Sequence, residues 1–264
     1  MNWMVLPNQV CLIVKLYNNR PGLLPDSNEI TNQMPMLLDR LTHHLILNYH
    51  FAPNAGLLNG KMGGVVFFGR YARHTGKAYF REYAEELLDE VFDMVHENIP
   101  INFVDGLCGI GWGVEYLIQN SLMEGDSDDV LEDIDKKVIE RDPLYIEDLS
   151  LHTGLRGVLM YVTARLTTAR KDRHYAPFPG EYLERIQKRI ALIPAADFEN
   201  EPALKDAVLL FEKYTAGQAV NGSDLPAITD EFYGVSPENF KNLNYCPIGI
   251  YQGLTGVAFK SIRS

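Results

Sequence analysis

Two kinds of apolar patterning alternate along the chain. In the first, apolar residues recur every three or four positions on one stripe. Phe80, Tyr83, Ala84, Leu87, Val91, Met94 and Val95 follow this rhythm, with Glu82, Glu85, Glu86, Asp89 and Glu90 on the other side. That spacing predicts an amphipathic helix with one face on a core. Val130, Leu131, Ile134 and Val138 repeat it, with Glu132, Asp133, Asp135 and Lys136 as the polar side. Leu183, Ile186 and Ile190 repeat it again, and Pro194 ends that helix. Upstream, Pro35 can open a helix that carries Leu37, Leu38, Leu41 and Leu45. In the second kind, residues 107–118 and 155–166 are apolar on nearly all sides, as in helices buried all round. The acidic run from Glu124 to Glu140 reads as a loop and a solvated outer face.

The all-round apolar stretches share an opening, Gly-x-x-Gly followed by an apolar run. It occurs at Gly60 and Gly63, Gly106 and Gly109, Gly154 and Gly157, and Gly253 and Gly256. Successive first glycines stand 46, 48 and 99 positions apart. The last gap is twice the others, which predicts a degenerate copy near residue 203. There Pro202 suits a first helical turn, and Leu204, Ala207, Val208 and Phe211 recur at helical spacing. Five units of about 48 residues result, each pairing a buried helix with an amphipathic one.

A buried ring covered by an outer ring satisfies both patterns. The fold class expected is therefore all-α: an α/α toroid, a double-layered helical barrel of about five helix hairpins. Residues 1–264 would form one domain, with 1–33 a non-repeating N-terminal segment that closes the ring or leaves it open. An open solenoid of hairpins is the alternative. Asn59, Asp105, Thr153 and Gln252 precede the first glycines, and three of these four residue types favour helix N-caps. Glycine at a helix start lets backbones approach closely. Parallel inner helices would gather their starts, with unpaired N–H groups, at one mouth able to hold an anion, a metal shell or an extended peptide.

Gly106-Leu-Cys-Gly-Ile-Gly-Trp-Gly-Val-Glu-Tyr-Leu117, Thr153-Gly-Leu-Arg-Gly-Val158 and Gln252-Gly-Leu-Thr-Gly-Val-Ala258 resemble the repeats of the lanthionine synthetase C-like (LanC-like) family, over about residues 34–260. The resemblance implies a double-layered α/α barrel. It also implies enzymes whose zinc activates peptide cysteine thiolates for addition to dehydroalanine or dehydrobutyrine, giving the thioether rings of lantibiotics. In that family one repeat places a zinc-binding Cys two positions before the first glycine, and the next places Cys-His directly before it. Here the first of these columns holds Leu58, Val104, His152 and Tyr251, and the second holds Asn59, Asp105, Thr153 and Gln252. Neither contains cysteine, so the resemblance extends to the scaffold and not to the zinc site; no metal or other cofactor is expected. Full family members also have more hairpins than the five found here.

Composition fits a folded protein: 46% hydrophobic and 22% charged residues. The net charge of −11 makes nucleic acid and anionic membrane surfaces poor partners. Cys11, Cys108 and Cys246 are odd in number and widely spaced, which argues against a disulfide framework and for a reducing compartment. The start, Met1 to Pro7, lacks a basic region, and the apolar stretch Val10 to Tyr17 is short and broken by Lys15. It reads as a buried strand or short helix, not a signal peptide. No stretch is long enough for a membrane span, so a cytoplasmic protein is expected.

His152, in a zinc-ligand column of the family, and Asp105 are the weak catalytic candidates; their plainer readings are a structural histidine and an N-cap. Arg156, Trp112, Tyr251 and Gln252 are the binding candidates. Arg156 would take a carboxylate or phosphate if it faced the mouth. Trp112 and Tyr116 otherwise read as core. Cys108 reads as a buried, inert thiol that Cys246 could approach across the ring. The function expected is an accessory or peptide-binding LanC-like protein whose partner is a ribosomally made peptide or its modification or export machinery. A glycoside-processing toroid would need two facing carboxylates, for which Asp105, Glu115, Asp230 and Glu231 are available. A non-catalytic helical-repeat scaffold is the third possibility.

Overall fold

Every regular element among the described residues is helical. The computed structural model describes residues 27–95, 99–167, 176–217, 227–234 and 243–262, with backbone alone for 27–35. Among the described residues ten α-helices follow one another: α1 (Ser27–Tyr49), α2 (Lys61–Thr75), α3 (Ala78–Met94), α4 (Leu107–Gln119), α5 (Ser127–Glu140), α6 (Leu155–Thr167), α7 (Gly180–Ala191), α8 (Ala195–Asn200), α9 (Pro202–Thr215) and α10 (Leu254–Ser261). Single 3-10 turns lie at Pro143–Tyr145, Asp230–Phe232 and Leu243–Tyr245. None of these helices is long and apolar enough to cross a membrane.

The ends of the helices follow local chemistry. Gly76 stops α2 in the left-handed conformation, φ 69°, and its N–H returns to the Ala72 carbonyl. The Asp126 carboxylate caps α5 by accepting from the Asp128 N–H. Pro202 occupies the first turn of α9, whose Leu204, Ala207, Val208 and Phe211 are buried.

Packing orders the glycine-led helices into a series of neighbours. α10 packs on α2, α2 on α4, α4 on α6, and α6 on α9. α3 and α5 lie against α2 and α4, and α1 packs on both α2 and α10. The first and last described helices are thus joined: the Tyr49 hydroxyl lies 2.6 Å from Thr255 Oγ1 and donates to the Ile248 carbonyl at 3.1 Å. One set of contacting buried apolar side chains extends from Leu41 to Ile262.

Three expectations change. Helix α1 starts at Ser27 and runs through Pro35, which does not open it. Asp135 leaves the polar face of α5 and is fully buried. Helix α7 rests chiefly on the Pro143–Tyr145 turn, not on α6; Arg185 holds the Asp142 carboxylate there, and Arg189 donates to the Ile146 carbonyl at 2.8 Å. The stretch Val10 to Tyr17, and Cys11 within it, lie outside the described residues.

The displacement of Asp135 has a cause on the next helix. Arg165 of α6 is wholly buried and donates to Glu115 of α4 at 2.6 Å and to Asp135, at 3.2 Å to one carboxylate oxygen and at 3.1 and 2.6 Å to the other. Tyr161 donates to Asp135 at 2.5 Å. A buried charge persists only when it is paired and hydrogen-bonded. This cluster therefore fixes α4, α5 and α6 relative to one another.

Candidate functional site

Each glycine-led helix starts against the loop before it. The first helical N–H reaches back seven residues: Lys61 to the Asn54 carbonyl (3.0 Å), Leu107 to Pro100 (2.9 Å), Leu155 to Asp148 (2.8 Å) and Leu254 to Pro247 (2.8 Å). The glycines make room for this return. A Cβ on Gly63, Gly109, Gly157 or Gly256 would overlap the carbonyl oxygen of Leu57, Phe103, Leu151 or Ile250 respectively, six residues back in every case. At Gly60, Gly106, Gly154 and Gly253 a Cβ would overlap the same return loops. Space, not backbone angle, is what the glycines provide, since Gly60, Gly106 and Gly253 are extended at φ −126°, −119° and −124°.

Two expectations are corrected here. The N-cap of α2, α4 and α10 is the first glycine itself, so Asn59, Asp105 and Gln252 stand one residue outside the cap. The first N–H of each glycine-led helix is not left open to bind an anion, because the return loop accepts from it.

The four residues two positions before the glycines meet. Tyr251 donates its N–H to the Leu58 carbonyl (2.9 Å), Leu58 to Val104 (2.9 Å), and Val104 to His152 (3.1 Å). The rings of His152 and Tyr251 then contact edge to face, with centroids 4.7 Å apart, which closes the circuit. Asn59, Thr153 and Gln252 are exposed beside it, and Asp105, His152 and Tyr251 are half-buried. Burial pushes the Asp105 carboxyl up, opposed by its hydrogen bond with Asn59 and by the nearby His152. One oxygen of Asp105 and Nε2 of His152 are shielded from water with no hydrogen-bond partner. Gln252 adopts φ 53°, and its N–H donates to the Tyr233 carbonyl at 2.8 Å. A non-glycine residue held in the left-handed region is a local cost tolerated where surroundings impose it. Thr153 instead donates to Asp148 at 2.5 Å.

Arg156 and Trp112 belong to a second place. Both line a cavity of about 450 Å³ between α6, α9 and the segment 227–232, with Leu159, Met160 and Phe232 among its apolar walls. None of Asp105, His152, Tyr251 and Gln252 lines it. The Arg156 side chain is only 5% exposed and is paired with Glu231, with Glu201 at 3.7 Å. Trp112 is also core, stacked on Tyr116 at 5.3 Å and edge-on to Phe103 and Phe232.

The four carboxylates available for glycoside chemistry stand in different settings. Glu115 is wholly buried against Arg165, Glu231 is held by Arg156, Asp105 sits in the loop circuit, and Asp230 opens the 3-10 turn beside Glu231. Burial pushes the Cys108 thiol up to about 12, so it is protonated and unreactive at neutral pH. No disulfide joins it to Cys246. Among the described residues no group of three or more His, Cys, Asp or Glu side chains could hold a metal ion. His152 alone in the column Leu58, Val104, His152 and Tyr251 does not fit the family's zinc, which requires several nitrogen or sulfur ligands together.

The Arg165 cluster and the unpartnered Thr163 hydroxyl on the cavity wall are absent from the sequence reading. A signal for the first existed: Arg165 is, with Arg156, one of two charged residues in a mostly apolar helix. No protein-family model matches the chain, and no curated protein matches it.

Proposed function

We propose that the chain is a peptide-binding, accessory member of the lanthionine synthetase C-like group that lacks its zinc chemistry, and that its helices form the two layers of an α/α toroid. The observation that carries this reading is the closed circuit of Leu58, Val104, His152 and Tyr251. These are the positions that the resemblance makes functional. The groups around them hydrogen-bond or stack: the amides of Asn59 and Gln252, the carboxyl of Asp105, the imidazole of His152 and the phenol of Tyr251. Side-chain amides both donate and accept, as an extended peptide backbone requires. The packing of α1 on α10 supports closure of the ring. The partner is a ribosomally made peptide of a modification or export system, met in the cytoplasm.

The test uses a fluorescein-labelled linear peptide rich in Ser, Thr and Cys, followed by anisotropy. Saturable binding is expected, with His152→Ala and Gln252→Ala each weakening it about three- to tenfold. The same peptide carrying Cys and dehydroalanine should cyclise no faster with the protein than without it. Stoichiometric, tightly held zinc together with accelerated cyclisation would overturn the proposal, as would binding unaffected by both substitutions.

A further inference from the structure

The cavity beside α6 has the features of a small-ligand site: size within the usual range, mostly apolar walls and a few converging polar groups. Two of those polar groups are unusual. Thr163 is 4% exposed, yet its hydroxyl has no hydrogen-bond partner. Helical threonines commonly satisfy this group on a carbonyl one turn back. Arg156 is nearly as buried, and its closest partner, Glu231, is 43% exposed. The two sides of that ion pair are unequal. Arg156 is largely withdrawn from bulk water and keeps anionic partners, Glu231 and, at 3.7 Å, the exposed Glu201. Glu231 can turn outward to water at little cost, because a half-exposed carboxylate remains solvated.

We infer that the cavity binds an apolar carboxylic acid, whose carboxylate replaces Glu231 on Arg156 while its apolar body fills the space along α6. The exchange keeps Arg156 paired; Glu201, 3.7 Å from it, and the exposed Asp206 on the cavity wall are the other carboxylates near the ligand. Arg156 and Thr163 lie seven residues apart on one helix, about 10 Å along its axis. A ligand oxygen at that distance from the carboxylate would satisfy the Thr163 hydroxyl. This inference is independent of the toroid and of the loop circuit, since the cavity shares no residue with that circuit.

Trp112 lines the cavity and reports on it by fluorescence. The probes are decanoate, 1-decanol and 10-hydroxydecanoate, each below its aggregation concentration, together with acetyl-leucyl-leucine as acid and as amide. Decanoate should bind about tenfold more tightly than decanol, because only the acid can take over the charge-assisted pair with Arg156 while the half-exposed Glu231 returns to water. Glu231→Gln removes the nearer internal competitor, leaving Glu201 at 3.7 Å, and should tighten decanoate severalfold while leaving decanol unchanged. Arg156→Gln should bring decanoate down to the level of decanol. Thr163→Val should abolish any preference for 10-hydroxydecanoate over decanoate. If the dipeptide acid outbinds both its amide and decanoate, the carboxylate is a peptide C-terminus; the reverse order makes it a free acid. Equal binding of decanoate and decanol, or weaker decanoate binding in Glu231→Gln, would overturn the inference. The Glu231→Gln arm stands even if Arg156→Gln fails to fold.

Discussion

The His152 ring stands edge-on to that of Tyr251, with centroids 4.7 Å apart, although the two belong to the third and last glycine motifs. Backbone hydrogen bonds from Tyr251 through Leu58 and Val104 lead back to His152, so the contact is the closing link of a circuit. Four distant stretches of chain are thereby held at one centre. The side chains at that centre are those on which the peptide-binding proposal rests.

The glycines at the helix starts should be intolerant of even a methyl group. In Gly109→Ala the new Cβ would overlap the Phe103 carbonyl oxygen and lie 3.0 Å from the Leu57 Cβ. Backbone cannot yield cheaply, so a loss of about 1–3 kcal/mol is expected by denaturant unfolding. Gly180→Ala is the control: its Cβ meets nothing within 4 Å, and stability should change by less than about 0.5 kcal/mol.

Arg165 should be the most sensitive charged position. Arg165→Met would leave Glu115 and Asp135 buried without their cation, at a cost of about 3–5 kcal/mol. Glu115→Gln keeps a hydrogen-bonding partner for Arg165 and should cost less. Chemical denaturation of the two variants side by side checks the order.

Helix periodicity and the Gly-x-x-Gly spacing located the buried helices well: the first glycine directly precedes each of α2, α4, α6 and α10, and Pro202 begins α9. Two physical facts escaped that reading. Periodicity assigns a face from local spacing, so it placed Asp135 among solvated acids, whereas a partner 30 residues away draws it inward. An N-cap preference concerns one residue type, and it could not show that a return loop accepts from the first helical N–H. Arg156 is expected to take an anion if it faces the mouth, and Trp112 is a binding candidate or core; both line a separate cavity, because loop paths between helices are not encoded in helical spacing.

Gln252→Gly should stabilise the protein by about 1 kcal/mol, since a left-handed backbone costs that much with a Cβ and nothing without one. The same substitution removes an amide from the proposed peptide surface. Stability and peptide affinity should therefore move in opposite directions, measured by thermal unfolding and by anisotropy.

Acid should destabilise the fold through three carboxylates. Burial raises Glu90, but hydrogen bonds with Lys61 and His50 outweigh this and hold it low; Arg185 holds Asp142 low; Asp148 is raised by burial and lowered further by Thr153 and Ser150. A carboxylate lowered in the folded state contributes stability above its unfolded value, and that contribution is lost as pH falls below about 4. Asp105 has the opposite sign. Raised by burial, it contributes stability that is lost as pH climbs through its folded value. Glu90→Gln should flatten the acid limb of the stability curve, and Asp105→Asn should remove the loss on the rising side.

Amide hydrogen exchange at Leu58, Val104 and Tyr251, resolved by NMR, tests the loop circuit most directly. These three N–H groups bond only from one loop to the next. With the circuit in place they should exchange as slowly as the buried amides of α4, and His152→Ala should speed Tyr251 and Val104 together. Exchange of all three at the rate of open chain, while α4 stays protected, would contradict it.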